Sequence, residues 1–493
     1  MKKPRLIFSL LAMLLCAPAG LAQAHPVDSG RQAPTQSPAA VSDRNAVGNW
    51  EGTLDVGAQK LKLVLKITRG SDGSLKAALD SPDQGAFDLP VSSITQAGES
   101  IKVELKGIGG VYEGTFDKDG SELTGEWKQG GTSLPLVLKK TDKVVSLNRP
   151  QMPKRPFPYL EEEVAYENKA GGVKLAGTLT LPRTDKPVPA VILITGSGAQ
   201  DRDETLLGHK PFLVLSDHLT RKGIAVLRVD DRGVGGSTGR VSSSTSEDFA
   251  GDVLAGVDFL KTRKEIDPRK IGLVGHSEGG LVAPIVAARS KEIAFIVMMA
   301  GPGLNGEEII QLQSYLISKA GGATDAALAR SRAVLELAFR ALREEKDDEL
   351  VKKRIKQEYG SYVEKLDEEQ KKAVRAEMET VEAQLSSMVN PWFRYFLTYD
   401  PKPTLEKVKC PVLVINGEKD LQVPPDENLK AIEYALKTGG NKDYTILKVP
   451  QLNHLFQTSQ TGSPSEYVKI EETIAPVALD TISNWILKQA AKR

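Results

Sequence analysis

The stretch Lys270-Ile271-Gly272-Leu273-Val274-Gly275-His276-Ser277-Glu278-Gly279-Gly280 constrains this chain more than any other. Residues 271–274 have the composition of a buried strand, and residues 281–289 read as a helix. A Gly-x-Ser-x-Gly turn joins them directly. Where strand and helix backbones converge so sharply, a Cβ would collide, so glycine is needed. The central serine is held in a strained conformation, with its hydroxyl pushed out above the sheet. The helix N-terminus then aims free N–H groups and its positive dipole end toward that hydroxyl. The pattern alone is weak in a chain of 493 residues with 44 glycines. Gly235-Gly236-Ser237-Thr238-Gly239 matches it too, after a strand-like run at 224–229. A polar loop, Val241-Ser242-Ser243-Ser244-Thr245-Ser246, follows that second match, where a helix is required. Ser277 is therefore the expected nucleophile and Ser237 the decoy.

From about residue 161 strands and helices alternate. Ala190-Val191-Ile192-Leu193-Ile194 is apolar throughout, as a strand covered on both faces must be. Alternation of this kind implies a mostly parallel sheet with helices on both faces. Catalytic groups then belong at the carboxyl ends of the strands. Past the strand at 412–415 comes Gly417-Glu418-Lys419-Asp420, with Asp420 the expected acid and Glu418 behind it. Past the last strand, at 444–447, comes Gln451-Leu452-Asn453-His454. The chain has five histidines, and only His454 occupies the slot of a general base. The order Ser277, Asp420, His454 matches one serine-hydrolase arrangement and not the others. In that arrangement His454 takes the serine proton and Asp420 holds the imidazole. Two N–H groups must meet the oxyanion. One is that of Glu278. The other belongs to the loop Thr195-Gly196-Ser197-Gly198, with Ser197 preferred and Gly198 second. That loop lacks the Gly-Lys-Ser/Thr ending of a phosphate loop, and no dinucleotide fingerprint is present. No cofactor or metal ion is expected.

The formal charge of +1 and a charged fraction of 26% give no single-sign field, which argues against nucleic acid as a partner. The N-terminus reads as a bacterial-type signal peptide over residues 1–24. Met1-Lys2-Lys3-Pro4-Arg5 is its basic part, residues 6–15 its apolar part and Ala22-Gln23-Ala24 its cleavage site. The apolar run is too short to span a bilayer, so no stable membrane insertion is expected. A mature protein starting at His25, periplasmic or secreted, keeps only Cys410 and can form no internal disulfide. Residues 25–45, rich in Pro, Ser, Ala and Gln, read as a flexible linker. Residues 46–141 have the period-two pattern of short antiparallel strands, as in Leu61-Lys62-Leu63-Val64-Leu65-Lys66-Ile67, with turn signals such as Ser71-Asp72-Gly73 and Gly130-Gly131. About eight strands make a small all-β barrel or sandwich, with Trp50 and Trp127 in its core; binding a surface ligand is its alternative use. Residues 142–160, carrying four prolines, read as an interdomain linker.

Over residues 161–493 these pieces together resemble the α/β-hydrolase superfamily, in its bacterial esterase and serine-aminopeptidase-like branch. The resemblance is carried by Thr195-Gly196-Ser197-Gly198-Ala199-Gln200-Asp201-Arg202-Asp203, Asp230-Asp231-Arg232-Gly233, Gly275-His276-Ser277-Glu278-Gly279-Gly280, Gly417-Glu418-Lys419-Asp420 and Asn453-His454. Thr195 stands where a histidine is common. The resemblance implies an α/β fold in which a helical insertion at about 304–400 caps the serine. The periodic run at 326–342, preceded by Thr324 as a cap, fits such an insertion, as do charged helices near 346–359 and 366–388. Trp392, Phe393 and Phe396 close it, as core residues or as a substrate-pocket wall. The expected activity is hydrolysis of a small-molecule carboxylic ester through an acyl-enzyme. A serine peptidase or acyl-peptide hydrolase of the same fold is the alternative, with Glu278 as one of two acids needed to grip an amine. A non-catalytic surface-binding protein is the rival from outside enzymes.

Overall fold

The computed structural model describes residues 45–492 apart from residues 57–59, 71–72, 85, 130–131, 143–146, 376–380 and 382–384. The expected leader, its cleavage site and all but the last residue of the first linker lie outside the described residues, as do Ser71-Asp72 and Gly130-Gly131. The chain divides into two units that part between Asn148 and Arg149.

In the first unit, nine strands form one antiparallel sheet: β1 (Gly48–Asp55), β2 (Lys60–Arg69), β3 (Leu75–Ser81), β4 (Ala86–Pro90), β5 (Ser93–Ala97), β6 (Ser100–Leu105), β7 (Gly110–Phe116), β8 (Glu122–Gln129) and β9 (Thr132–Thr141). Their order is β4-β3-β2-β1-β9-β8-β7-β6-β5. Leu63, Leu65 and Ile67 of β2 share a single core with Ile101, Val103 and Leu105 of β6. Strands from both halves of the sheet thus feed one cluster, so the sheet curls on itself, and the sandwich alternative falls away. Trp50 is fully buried, its indole N–H donating to the Ala46 carbonyl at 2.8 Å. Trp127 lies so close under Gly110 that a Cβ there would come within 2.6 Å of its ring. Both tryptophans are core residues.

The second unit holds β10 (Leu160–Asn168), β11 (Val173–Leu181), β12 (Val188–Ile194), β13 (Ala225–Val229), β14 (Ile266–His276), β15 (Ile296–Met299), β16 (Val412–Gly417) and β17 (Tyr444–Val449). The sheet order is β10-β11-β13-β12-β14-β15-β16-β17. Strands β13 through β17 along that order are parallel, and the β10–β11 hairpin is antiparallel at one edge. Ala190, Ile192 and Ile194 belong to the core on one face, Val191 and Leu193 to the core on the other. Burial on both sides is why that run carries no polar residue. Helices Ser246–Lys261, Gly279–Arg289 and Pro425–Thr438 cover the first face; Pro211–Arg221 and Pro476–Ala491 cover the second.

The insertion between β15 and β16 is helical. Thr324 accepts the Ala327 N–H and starts Asp325–Glu344; Asp347 does the same for Asp348–Glu364. A further helix, Gly306–Ala320, capped by Asn305, was not anticipated. Of the charged run at 366–388 the described part is the helix Glu368–Arg375 and a few residues near its end. The insertion has its own core, in which Ile309, Phe339 and Ile355 meet Trp392, Phe393, Phe396 and also Val423.

The segment expected as a linker over 142–160 departs from that reading after residue 148. Arg149 donates to the carbonyls of Leu207, Val468 and Ile470, and Gln151 accepts the N–H groups of Thr473 and Ile474. Its prolines stiffen it, but its polar side chains fasten it to the second unit. A protein starting at residue 149 should melt cooperatively, whereas one starting at 155 loses six hydrogen bonds, counting the one that Gln151 donates to the Ile474 carbonyl, each worth about 1 kcal/mol net. We expect the shorter form to melt several degrees lower in calorimetry; equal melting temperatures would mean that these contacts add nothing.

Candidate active site

Two close approaches of backbone fix the turn at Ser277. A Cβ on Gly275 would lie 1.9 Å from the Gly279 carbonyl oxygen, and one on Gly279 would lie 2.1 Å from that of Ile194. Neither distance can be accommodated, so both positions must be glycine. Ser277 itself adopts φ +53°, a left-handed conformation uncommon outside glycine. Its N–H is tied to the Met299 carbonyl at the end of β15, 2.9 Å away. The serine is thereby set at the carboxyl end of the central strand, directly before the helix Gly279–Arg289. Ser237 is in a different state. Its hydroxyl donates to the Asp230 carbonyl at 2.8 Å and accepts the Ala176 N–H at 2.9 Å. It is a buried structural group that staples a loop to β11.

Asp420 follows β16 and is 2% exposed. One of its oxygens accepts the N–H groups of Gln422 and Val423; the other lies 2.8 Å from Nδ1 of His454. Nδ1 must carry the proton in that contact, which leaves Nε2 of His454 free to accept one. Glu418 instead accepts the Gln451 N–H and braces the turn before His454. His209 is fully buried between Thr473, Tyr467 and Gln457. Burial, together with the nearby Arg149 charge, pushes its pKa down to about 4. It is a neutral core histidine.

The loop after β12 is held from both sides. The Thr195 hydroxyl donates to Asp231 at 2.8 Å, and the Gly196 N–H donates to Glu204 at 2.7 Å. A Cβ on Gly196 would lie 3.3 Å from the Cβ of Ser277, so this loop stands beside the serine. Gly198 takes φ +103°, a region open to glycine. Among the described residues the N–H groups of Ser197 and Glu278 have no protein acceptor. The Gly196 N–H is already committed.

Glu278 is buried, and one oxygen accepts both the Ser246 hydroxyl at 2.6 Å and the Trp392 indole N–H at 2.8 Å. Burial raises its pKa, and the two donors pull it back. Trp392 stacks on Phe396 with ring centroids 5.3 Å apart. Trp392, Phe393 and Phe396 are 6%, 2% and 6% exposed, so all three lie in the core of the insertion. Through Trp392 that core is tied to the residue next to Ser277. A cleft of ≈ 50 Å³ opens at the ends of β12 and β13, lined by Thr195, Gly196, Asp231, Phe249, Glu278 and Val282 among others. Asp231 is half-buried and lines this cleft; burial raises its carboxyl well above the usual range, helped by the charges of Glu278 and Glu204.

Sequence reasoning gave no role to Glu204 or Ser246, and took Asp231 only as part of the resemblance. Each acts across 32 to 72 positions of chain, which no local pattern reports. Among the described residues no group of three or more His, Cys, Asp or Glu could hold a metal ion, and no helix is long and apolar enough to cross a membrane.

Residues 171–453, more than half of the chain, match the model of the X-Pro dipeptidyl-peptidase (S15) family. The chain is 26% identical over 447 residues to the esterase EstD of Thermotoga maritima, covering 89% of this chain and 97% of that protein. An esterase of Pyrococcus furiosus, of known structure, covers 71% of this chain and 99% of its own at 17% identity, with a TM-score of 0.41. The solved structure of Est1E from Butyrivibrio proteoclasticus with ferulic acid covers 66% and 99%, at 17% identity and a TM-score of 0.39.

Two substitutions separate the hydrogen bond of Trp392 from its packing. Trp392→Phe keeps a ring but leaves Glu278 short of a donor, which should cost about 1–3 kcal/mol in urea denaturation. Trp392→Ala also opens the insertion's core and should cost about 3–5 kcal/mol. Equal, small losses would place Trp392 outside both roles.

Proposed function

Since the chain belongs to the X-Pro dipeptidyl-peptidase (S15) family and is a serine hydrolase, we propose that it cleaves small carboxylic esters through an acyl-enzyme formed on Ser277. The observation that carries this reading is the 2.8 Å contact between His454 Nδ1 and Asp420 beside a serine held at φ +53°. Ser277 Oγ attacks the ester carbonyl carbon while Nε2 of His454 takes its proton. Asp420 stabilises the imidazolium so formed. The N–H groups of Glu278 and Ser197 receive the oxyanion, each worth roughly 3 kcal/mol in the transition state. The carbon–oxygen bond of the ester then breaks, and the alcohol leaves with the proton from His454. Water, deprotonated by the same imidazole, attacks the acyl-enzyme and restores Ser277.

The cleft lined by Thr195, Gly196 and Glu278 adjoins the loop after β12 and the residue after Ser277, while Ser277, Asp420 and His454 are not among its lining residues. One observation supports a second reading, a serine peptidase that grips a free amine: Asp231 and Glu278 line the same cleft. Hydrolysis rates over a panel of short esters and aminoacyl amides decide between them. Esters should be cleaved faster; a preference for aminoacyl amides would install the peptidase reading. The protein acts outside the cytoplasm, in the periplasm or beyond, which the basic, apolar and small-residue order of residues 1–24 supports.

Ser277→Ala should abolish labelling by a fluorophosphonate, while Ser237→Ala, though less stable, should keep it. His454→Ala should lower kcat about as far as Ser277→Ala does, and Asp420→Asn somewhat less, because the three act as a unit. Labelling that survives Ser277→Ala would overturn the assignment. Mass spectrometry of protein recovered from the native host should give an N-terminus at His25; a retained leader would refute the export reading.

A further inference from the structure

Directly behind the serine lies a second acid–histidine contact that the reaction as written leaves unused. His276 and Glu204 are each 6% exposed. Nδ1 of His276 lies 2.9 Å from Oε1 of Glu204, and Nε2 lies 3.0 Å from the backbone carbonyl oxygen of His454. The same Oε1 accepts the Gly196 N–H at 2.7 Å. A carbonyl oxygen can only accept, so Nε2 of His276 carries a proton. One further proton then lies between Nδ1 and Oε1. Burial disfavours a cation at His276, but the Glu204 charge and hydrogen bond outweigh it and raise its pKa.

Glu204 meets this contact at some expense. Its backbone takes φ +53°, and its Oε2 is buried without a partner among the described residues. Strain and an unmet acceptor together are uncommon at positions that serve packing alone. What they secure is a three-way tie. One carboxylate and one imidazole join the loop after β12, the turn after β14 and the loop after β17. The first carries Ser197, the second Ser277 and the third His454.

We propose that Glu204 and His276 are positioning residues that set the oxyanion loop and the His454 loop in register with Ser277. The inference rests on the ester-hydrolase reading above and adds to it two residues that never touch substrate. Their action is geometric. Misplacement of a reacting group by about 1 Å is enough to lower turnover about a hundredfold. The rings of His276 and His454 have centroids 4.8 Å apart. The other charged or titratable groups around this site are Asp420 from the loop after β16, and Glu278 and Asp231 from the cleft side. Tyr467 lies behind Asp420 through Gln422, and the ring of Phe456 meets His276 edge-on.

The test uses the full chain with Glu204→Gln, His276→Gln and His276→Asn. Active sites are counted with a fluorophosphonate, and kcat and KM are measured per labelled site on a short ester from pH 5 to 9. Glu204→Gln should lower kcat about tenfold or more with KM changed less than about threefold. In His276→Gln the amide can still reach the His454 carbonyl; in His276→Asn it cannot. The Gln variant should therefore keep the greater turnover. Lower melting temperatures with kcat and KM unchanged per labelled site would overturn the proposal, as would equal turnover of the two His276 variants. If Glu204→Gln fails to fold, the two His276 variants still decide the question. Failure of the hydrolase reading looks different: wild-type protein would then not label at Ser277 at all.

Discussion

The site depends on one constraint, the convergence of three backbones at the carboxyl end of β14. Gly275 and Gly279 have no space for a side chain, since the helix that begins at Gly279 passes within contact of the strand and of the Ile194 carbonyl. Ser277 absorbs the resulting strain at φ +53°. Everything else is measured from that turn. The strand before it is apolar on both faces, so its position is fixed by two cores rather than one. A side chain on such a support does not wander, and pre-organisation of that kind is what the proposed oxyanion site requires.

Around the turn the protein buries an unusual amount of negative charge capacity. Asp231, Glu204, Glu278 and Asp420 are each met by donors: Thr195, Gly196 and His276, Ser246 and Trp392, and two backbone N–H groups with His454. An unpaired buried carboxylate would be costly, and removing one partner costs more than the pair is worth. The practical effect is that loops otherwise free to move are pinned by hydrogen bonds to side chains from elsewhere in the chain. Glu278 is the clearest case. Its carboxylate accepts the Trp392 indole N–H, so the insertion and the turn at Ser277 are joined by one residue.

The aromatic cluster at 392–396 shows how one pattern can serve two ends. Four aromatics in five positions with a helical period fit a buried helix face and fit a pocket wall equally well. The structure buries Trp392, Phe393 and Phe396 against helices of the insertion, yet leaves the indole N–H of Trp392 in use at Glu278. Periodicity reports that a face is covered; what covers it is a matter of which helices arrive. The helix Gly306–Ala320 was missed for a related reason. Its cap at Asn305 is two residues before a pair of glutamates, and its apolar residues are interrupted by polar ones, such as Gln313, that are nonetheless buried.

The sequence by itself determined the elements whose cause is local. The glycines of the turn at Ser277, the unbroken apolar strand at 190–194, the period-two strands of the first unit and the cap at Thr324 all follow from sterics and burial within a few residues. It also determined the order of Ser277, Asp420 and His454, because an alternating α/β chain must bring the carboxyl ends of its strands together. Tertiary structure alone decided what depends on partners far along the chain. Ser237 differs from Ser277 because its hydroxyl finds Asp230 and Ala176. Residues 149–160 belong to the second unit because Arg149 and Gln151 find carbonyls and N–H groups some 320 residues away. Glu204 stands out from the acids around it because its carboxyl reaches Gly196 and His276. A hydrogen bond to a distant partner leaves no periodic trace, so only the folded chain reveals it.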